Sequence, residues 1–178
     1  MSTDVLDSLR YPIGKFQKST IDPAQRPASI ATLRALPSAL REAVSGLSDA
    51  QLATPYRDGG WTVLQTVHHL ADSHLNAYSR FRQALTQDWP TIYAYDEAKW
   101  AQLADAHTAP VALSLELLDG LHARWTLLLD SLKDADFERG FVHPENGRQT
   151  LEQGVAIYAW HSRHHTAHIT ELRKRNHW

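Results

Sequence analysis

Eleven histidines occur in this chain of 178 residues, and most fall in two short clusters. The first reads Val67-His68-His69-Leu70-Ala71-Asp72-Ser73-His74. The second reads Trp160-His161-Ser162-Arg163-His164-His165-Thr166-Ala167-His168 and contains two HxxxH pairs, His161/His165 and His164/His168. Residues four apart on a helix stand one above the other on the same face. Two imidazoles so placed can hold one metal ion, and the first cluster can supply a third ligand from another helix. Three protein nitrogens leave a coordination position open, the mark of a catalytic rather than a structural site. Cysteine is absent. That excludes disulfides, thiolate zinc sites and a cysteine nucleophile. Any metal is held by histidine or carboxylate, and any reacting thiol arrives on a substrate.

The elements that must carry these residues are helices. An irregular arm is expected over 1–28, which contains Pro12, Pro23 and Pro27. Ser29 is the expected N-cap of a first helix reaching Leu47, with Leu33, Leu36, Leu40 and Val44 on one face and a kink at Pro37. A short helical turn follows at 48–52, then a loop at 55–60. The second helix should run from Trp61–Thr62 to Leu85. The connection 86–109, with one short helix near 96–103, is longer than usual and reads as a crossover or lid. A leucine-rich third helix covers 111–132 and the segment 134–148 reads as loop. Thr150 caps a fourth helix reaching Arg175. The expectation is an all-α four-helix bundle, one domain over 1–178, with a long connection between the second and third helices.

At 100° per residue, Leu151, Tyr158, Ile169 and Leu172 define the inward direction of the fourth helix. His165 falls near its centre and His161 beside it, while His168 and His164 lie to one flank. The second helix is less decisive. Its apolar stripe passes through His74. His69 belongs to the opposite, polar stripe of Thr62, Gln65, His69, Asp72 and Asn76, which either meets solvent or lines a polar cavity. Periodicity alone favours His74.

Composition narrows the partners. Apolar residues make up 43% and charged residues 21%, with a net charge of −2. No long basic run invites nucleic acid, and no apolar run is long enough for a membrane span or a signal peptide. The expected location is the cytoplasm.

The motifs Tyr56-Arg57-Asp58-Gly59-Gly60-Trp61-Thr62-Val63 and Val67-His68-His69-Leu70-Ala71-Asp72-Ser73-His74 resemble the YfiT branch of the DinB superfamily. Trp160-His161-Ser162, His164-His165 and Ala167-His168-Ile169-Thr170-Glu171-Leu172 match its C-terminal motif. Tyr11-Pro12-Ile13-Gly14, Pro90, Tyr95-Asp96-Glu97, Leu121-His122, Arg124-Trp125 and Arg139-Gly140-Phe141 also fit. The resemblance implies a four-helix bundle, a homodimer, and a divalent metal held by His69, His161 and His165. It thereby selects His69 over His74. Members are commonly labelled metal-dependent hydrolases, and some relatives are S-transferases using bacillithiol, mycothiol or glutathione.

Three neutral imidazoles leave the charge of a divalent ion uncompensated. Water or a thiol held there loses its proton more readily. Such a site serves hydrolysis or thiol transfer alike; the resemblance, closest to the bacillithiol users, implies a low-molecular-weight-thiol (bacillithiol-like) S-transferase acting on electrophiles as the expected function. The alternatives are metal-dependent hydrolysis and a metal-binding stress-response module without turnover. Zinc suits the ligands, and so does nickel, one ion per chain. Asp72 and Asn76 on the polar stripe, and Tyr158 three residues before His161, are candidates to orient a ligand, act as a base or offer a hydroxyl. His164 and His168 read as groups behind the ligands or on the surface, and His68 and His74 as packing or hydrogen-bonding groups. His107, His122, His143 and His177 lack metal spacing and read as ordinary.

Overall fold

The structure is a computed structural model that describes residues 3–18 and 21–178. Both histidine clusters sit on helices started by the same device. Thr62 caps α4 (Val63–Thr86) and Thr150 caps α9 (Leu151–Asn176). In each case the threonine hydroxyl accepts from the backbone of a glutamine three residues on, and that glutamine's side chain accepts from the threonine backbone. A threonine cap contributes about 1 kcal/mol. These boxes fix where each helix starts and hence the register of its histidines.

The other long helices are α2 (Arg26–Val44) and α7 (Val111–Asp130). Each of the four packs chiefly against two others: α2 against α7 and α9, and α4 against the same two. Consecutive α2 and α4 therefore lie diagonally, as do α7 and α9, while α4 and α7 are neighbours joined by the long connection. This is a four-helix bundle. Among the described residues no helix is long and apolar enough to cross a membrane.

The core has two apolar layers. One is built from Ile30 and Leu33 on α2, Ala77 and Phe81 on α4, Trp125 and Leu129 on α7, and Leu151, Val155 and Tyr158 on α9. The other uses Leu36 and Leu40, Val67 and Leu70, Leu118 and Leu121, and Ile169 and Leu172. On α4, α7 and α9 the residues between the two layers include His74, His122, His161 and His165. At the first layer α4 and α9 approach closely because Gly154 has no side chain. A Cβ there would stand 2.8 Å from the Phe81 ring.

Several local expectations are corrected. The 1–28 arm is not wholly irregular, since Thr3–Arg10 form helix α1. Ser29 is not the cap of α2. Pro27 occupies its first turn, where a missing N–H costs nothing, so the helix begins four residues earlier, capped by Gln25, and ends at Val44. The short turn expected at 48–52 is α3 (Asp49–Leu52), capped by Ser48. The connection holds two short helices rather than one, α5 (Glu97–Trp100) and α6 (Ala104–Thr108). Segment 134–148 is not loop. It holds α8 (Asp134–Phe137) and the first strand of a hairpin that pairs β1 (Gly140–His143) with β2 (Gly147–Thr150). Buried Phe141 anchors the hairpin, and Gly147 at φ +71 supplies the left-handed turn position.

Candidate metal centre

The polar stripe of α4 is covered, not solvated. The 86–109 connection lies across it, and the Gln65 amide donates to the Ala101 carbonyl at 2.7 Å. At one edge of that cover opens a cavity of about 1010 Å³. His69, His161 and His165 line it together with Tyr158, Arg80, Trp61 and the hairpin residues His143, Glu145 and Asn146.

The three histidines converge. One ligand nitrogen from each lies within 4.8 Å of the others. His69 Nε2 and His161 Nε2 are 3.2 Å apart. Two nitrogens at about 2.0–2.1 Å from a shared tetrahedral ion would be about 3.3 Å apart, so the pair already has the spacing of ligands. Trp61 walls the group, its ring centroid 4.5 Å from that of His69 and 6.2 Å from that of His165.

Behind the triad the hydrogen bonds dictate which nitrogen carries each proton. A backbone carbonyl can only accept. His122 Nδ1 lies 2.6 Å from the Leu33 carbonyl and must donate to it. Neutral His122 then accepts at Nε2 from His74 Nδ1, at 3.0 Å. His74 in turn accepts at Nε2 from His161 Nδ1, at 3.1 Å. His161 is left with a lone pair on Nε2, facing His69. A second chain does the same for His165. His168 Nε2 donates to the Arg10 carbonyl at 3.1 Å, so its Nδ1 accepts from His165 Nδ1 at 3.3 Å. The lone pair of His165 is then on Nε2. A second cluster, His164, His165 and His168, also has ligand atoms close together. Two of its members are already engaged in this hydrogen-bonded chain.

The logic requires neutral rings, and burial supplies them. Desolvation first, then neighbouring histidines, holds His161 and His165 well below the ordinary imidazole range. Desolvation pulls His69, His122, His164 and His168 down to about 4. Neutral imidazole is the form that binds metal.

The remaining sequence candidates divide. Tyr158 lines the cavity, with its hydroxyl accepting from Arg80 Nη1 at 3.2 Å. Asp72 and Asn76 are half-buried on α4 and are not on the cavity wall; the Asn76 amide donates to the Asp72 carbonyl at 2.9 Å. Burial, then Asp105, raises the Asp72 carboxyl to about 6. His122 and His143, read as ordinary, are respectively the end of a histidine chain and a cavity residue. His122 was detectable: it stands on the apolar stripe of Leu118, Trp125 and Leu129. His143 gave no such signal, because its place depends on the hairpin.

Comparison with known proteins places the chain in a family. The chain is 52% identical to a candidate metal-dependent hydrolase of Geobacillus thermodenitrificans, over the whole of both chains. It is 50% identical to YfiT of Bacillus subtilis, itself named a candidate metal-dependent hydrolase, over 96% of this chain and 97% of that one. The solved structure of YfiT, a four-helix bundle of unusual topology, superposes with a TM-score of 0.92 over 96% of this chain and 99% of that one. A further four-helix bundle, TT2238, shares the fold at 20% identity and a TM-score of 0.54, over 79% of this chain and 94% of that one. The DinB superfamily model matches residues 32–169, so the chain belongs to the DinB superfamily.

Proposed function

We propose that His69, His161 and His165 hold one divalent ion, zinc or nickel, and that the site transfers a low-molecular-weight thiol of the bacillithiol type to an electrophile. The observation that carries the metal assignment is the pair of hydrogen-bonded histidine chains. They leave the Nε2 lone pairs of His161 and His165 unprotonated, with the His69 ring beside both. A bound ion would acidify a coordinated thiol or water.

The cavity favours transfer over hydrolysis. Its only carboxylates among the described residues are Asp96, Glu97 and Glu145. All three are exposed. Asp96 is further occupied by the Lys99 backbone N–H and ammonium. No buried carboxylic acid lines the cavity to protonate a leaving amine or alcohol, a proton that displacement of a halide by a thiolate does not need. Tyr158 and the Trp61 wall orient what enters. Hydrolysis is the second reading, and the names of the relatives favour it. The proposed assembly is a cytoplasmic homodimer. Exposed Leu113 and Leu117, one turn apart on α7, offer apolar surface for it.

Cobalt-loaded protein should develop a sulfur-to-metal charge-transfer band with the cognate thiol from a bacillithiol, mycothiol and glutathione panel. The zinc form should then conjugate that thiol to monochlorobimane. Cleavage of ester or amide substrates, with a cobalt spectrum blind to every thiol, would establish the hydrolase instead. Metal binding without any turnover would leave a binding module.

The histidine chain gives a second expectation. His122→Phe removes the acceptor of His74 Nδ1–H and frees the tautomer of His161. Loss of such an outer partner lowers metal affinity roughly 10–100-fold. His122→Gln, whose amide oxygen can accept the same bond, should recover most of it. Chelator competition measures both. His68 is the control. It is also buried but bonded to Ser114 Oγ and to the Ala109 carbonyl, so its replacement should lower stability without changing metal affinity. Equal affinities for wild type and His122→Phe would remove the chain from the metal site.

A further inference from the structure

The cavity contains a buried charge that has no ion-pair partner among the described residues. Arg80 is 9% exposed and lies on the cavity wall. Its Nη1 donates to the Tyr158 hydroxyl at 3.2 Å and its Nη2 to the Tyr93 carbonyl at 3.0 Å, while Nε has no partner. Both acceptors are neutral. Among the described residues Arg80 makes no ion pair. Arg26, the comparison within the same chain, has a side chain 15% exposed and is held by two carboxylates, Glu152 and Asp134, each at 2.6 Å. Arginine cannot shed its proton under physiological conditions. A guanidinium withdrawn from water without a counter-charge is costly, and it persists where an anion completes it. The groups facing it do not supply one. Burial first and Arg80 next hold His143 below the ordinary imidazole range, and burial raises the Tyr95 hydroxyl to about 12.

The position of Arg80 bears on the reaction. It is one tyrosine away from the triad: Tyr158 receives its hydrogen bond, and the Tyr158 ring centroid is 6.0 Å from that of His161. With a divalent ion on three neutral imidazoles, the interior would carry that charge plus the guanidinium. We propose that Arg80 receives a carboxylate of the substrate. The molecules taken by this cavity then carry an acid group about one tyrosine ring from the atom that meets the metal. The planar, forked guanidinium is built for two parallel hydrogen bonds to such a group. This inference rests on the metal assignment above but not on the choice between thiol transfer and hydrolysis.

The test uses zinc-loaded protein and calorimetry with acetate, succinate, glutarate, adipate and 3-phosphonopropionate. Acetate can occupy only one of the two positions, whereas a diacid of matching length can span both. The best diacid should bind at least tenfold more tightly than acetate. R80Q should erase that margin while leaving zinc content unchanged. R80K, which keeps the charge and loses the fork, should retain only part of it. A margin that survives R80Q overturns the proposal. If R80Q does not fold, R80K decides, and a margin unchanged in R80K overturns it equally. Tighter binding of 3-phosphonopropionate than of every diacid would replace carboxylate by phosphate as the recognised class. No thiol enters this experiment, so a failure of the transferase reading is seen separately in the bimane and cobalt measurements.

Discussion

His165→Ala protein should emerge from dialysis without metal, while the wild-type chain keeps one divalent ion. Two features of His165 make this the largest single-residue effect expected. It is one of three converging ligand candidates. It is also the end of the chain through His168 to the Arg10 carbonyl, so alanine removes a ligand and leaves His168 Nδ1 without its donor. The loss should exceed the roughly 10–100-fold that follows removal of an outer hydrogen-bond partner. His161→Ala should behave alike. His164→Ala should bind metal within a few-fold of wild type, because His164 faces the neighbouring rings of Tyr11 and Trp160. Metal content by elemental analysis decides the matter. A His165→Ala protein that retains stoichiometric metal, or a His164→Ala protein that loses it, would move the centre to the other cluster.

The metal-free protein should unfold readily in mild acid. The His122 imidazole is 1% exposed and lowered to about 4 by burial, against 6.5 for the unfolded chain. Between those values the unfolded chain binds a proton that the folded chain refuses. Stability is therefore complete above pH 6.5, declines as pH falls toward 4, and levels off once the folded ring also protonates. One such group corresponds to roughly 3 kcal/mol. His69, His164 and His168 fall to about 4 as well, and because these rings interact their effects are less than additive. Asp72 acts in the opposite sense. Its carboxyl is raised from 3.8 to about 6, so over that interval the folded chain holds a proton the unfolded chain lacks. One carboxyl against several imidazoles leaves a net loss that is large beside a typical stability of about 5–15 kcal/mol. Urea unfolding at pH 7.5, 6 and 5 should show a falling free energy with net uptake of more than one proton. Zinc should shift the decline to lower pH, since metal and proton compete for the same nitrogens. Stability that is flat from pH 7.5 to 5 would mean that the histidine layer is hydrated rather than dry.

The four long helices were legible because their apolar faces recur with helical period and because Thr150 reads as a cap; the Thr62–Gln65 and Thr150–Gln153 boxes that fix two of the starts emerged only in the structure. The HxxxH register of His161 and His165 followed from the same periodicity. Of the shorter elements, α3 and the short helix near 96–103 were legible, the latter without its division into α5 and α6. α1, α8 and the 140–150 hairpin are held by what they pack against, and a local pattern of four to eight residues does not contain that information. His69 was hidden for a different reason. The sequence pattern shows that its stripe is polar, but only the crossover over Gln65 makes a polar stripe an interior one. His74 had the stronger periodic signal and does lie at the centre of the core, as the hydrogen-bond partner of His161 rather than beside the cavity.

The Arg10 carbonyl ties the beginning of the described chain to the site. Helix α1 ends at that residue, and its carbonyl is what obliges His168 to accept from His165. With an ion on the proposed ligands, docking of this segment and capture of the ion would be linked, each raising the other by the same factor. The first described helix would then serve as a latch on the ion, although neither Arg10 nor His168 belongs to the proposed ligand set.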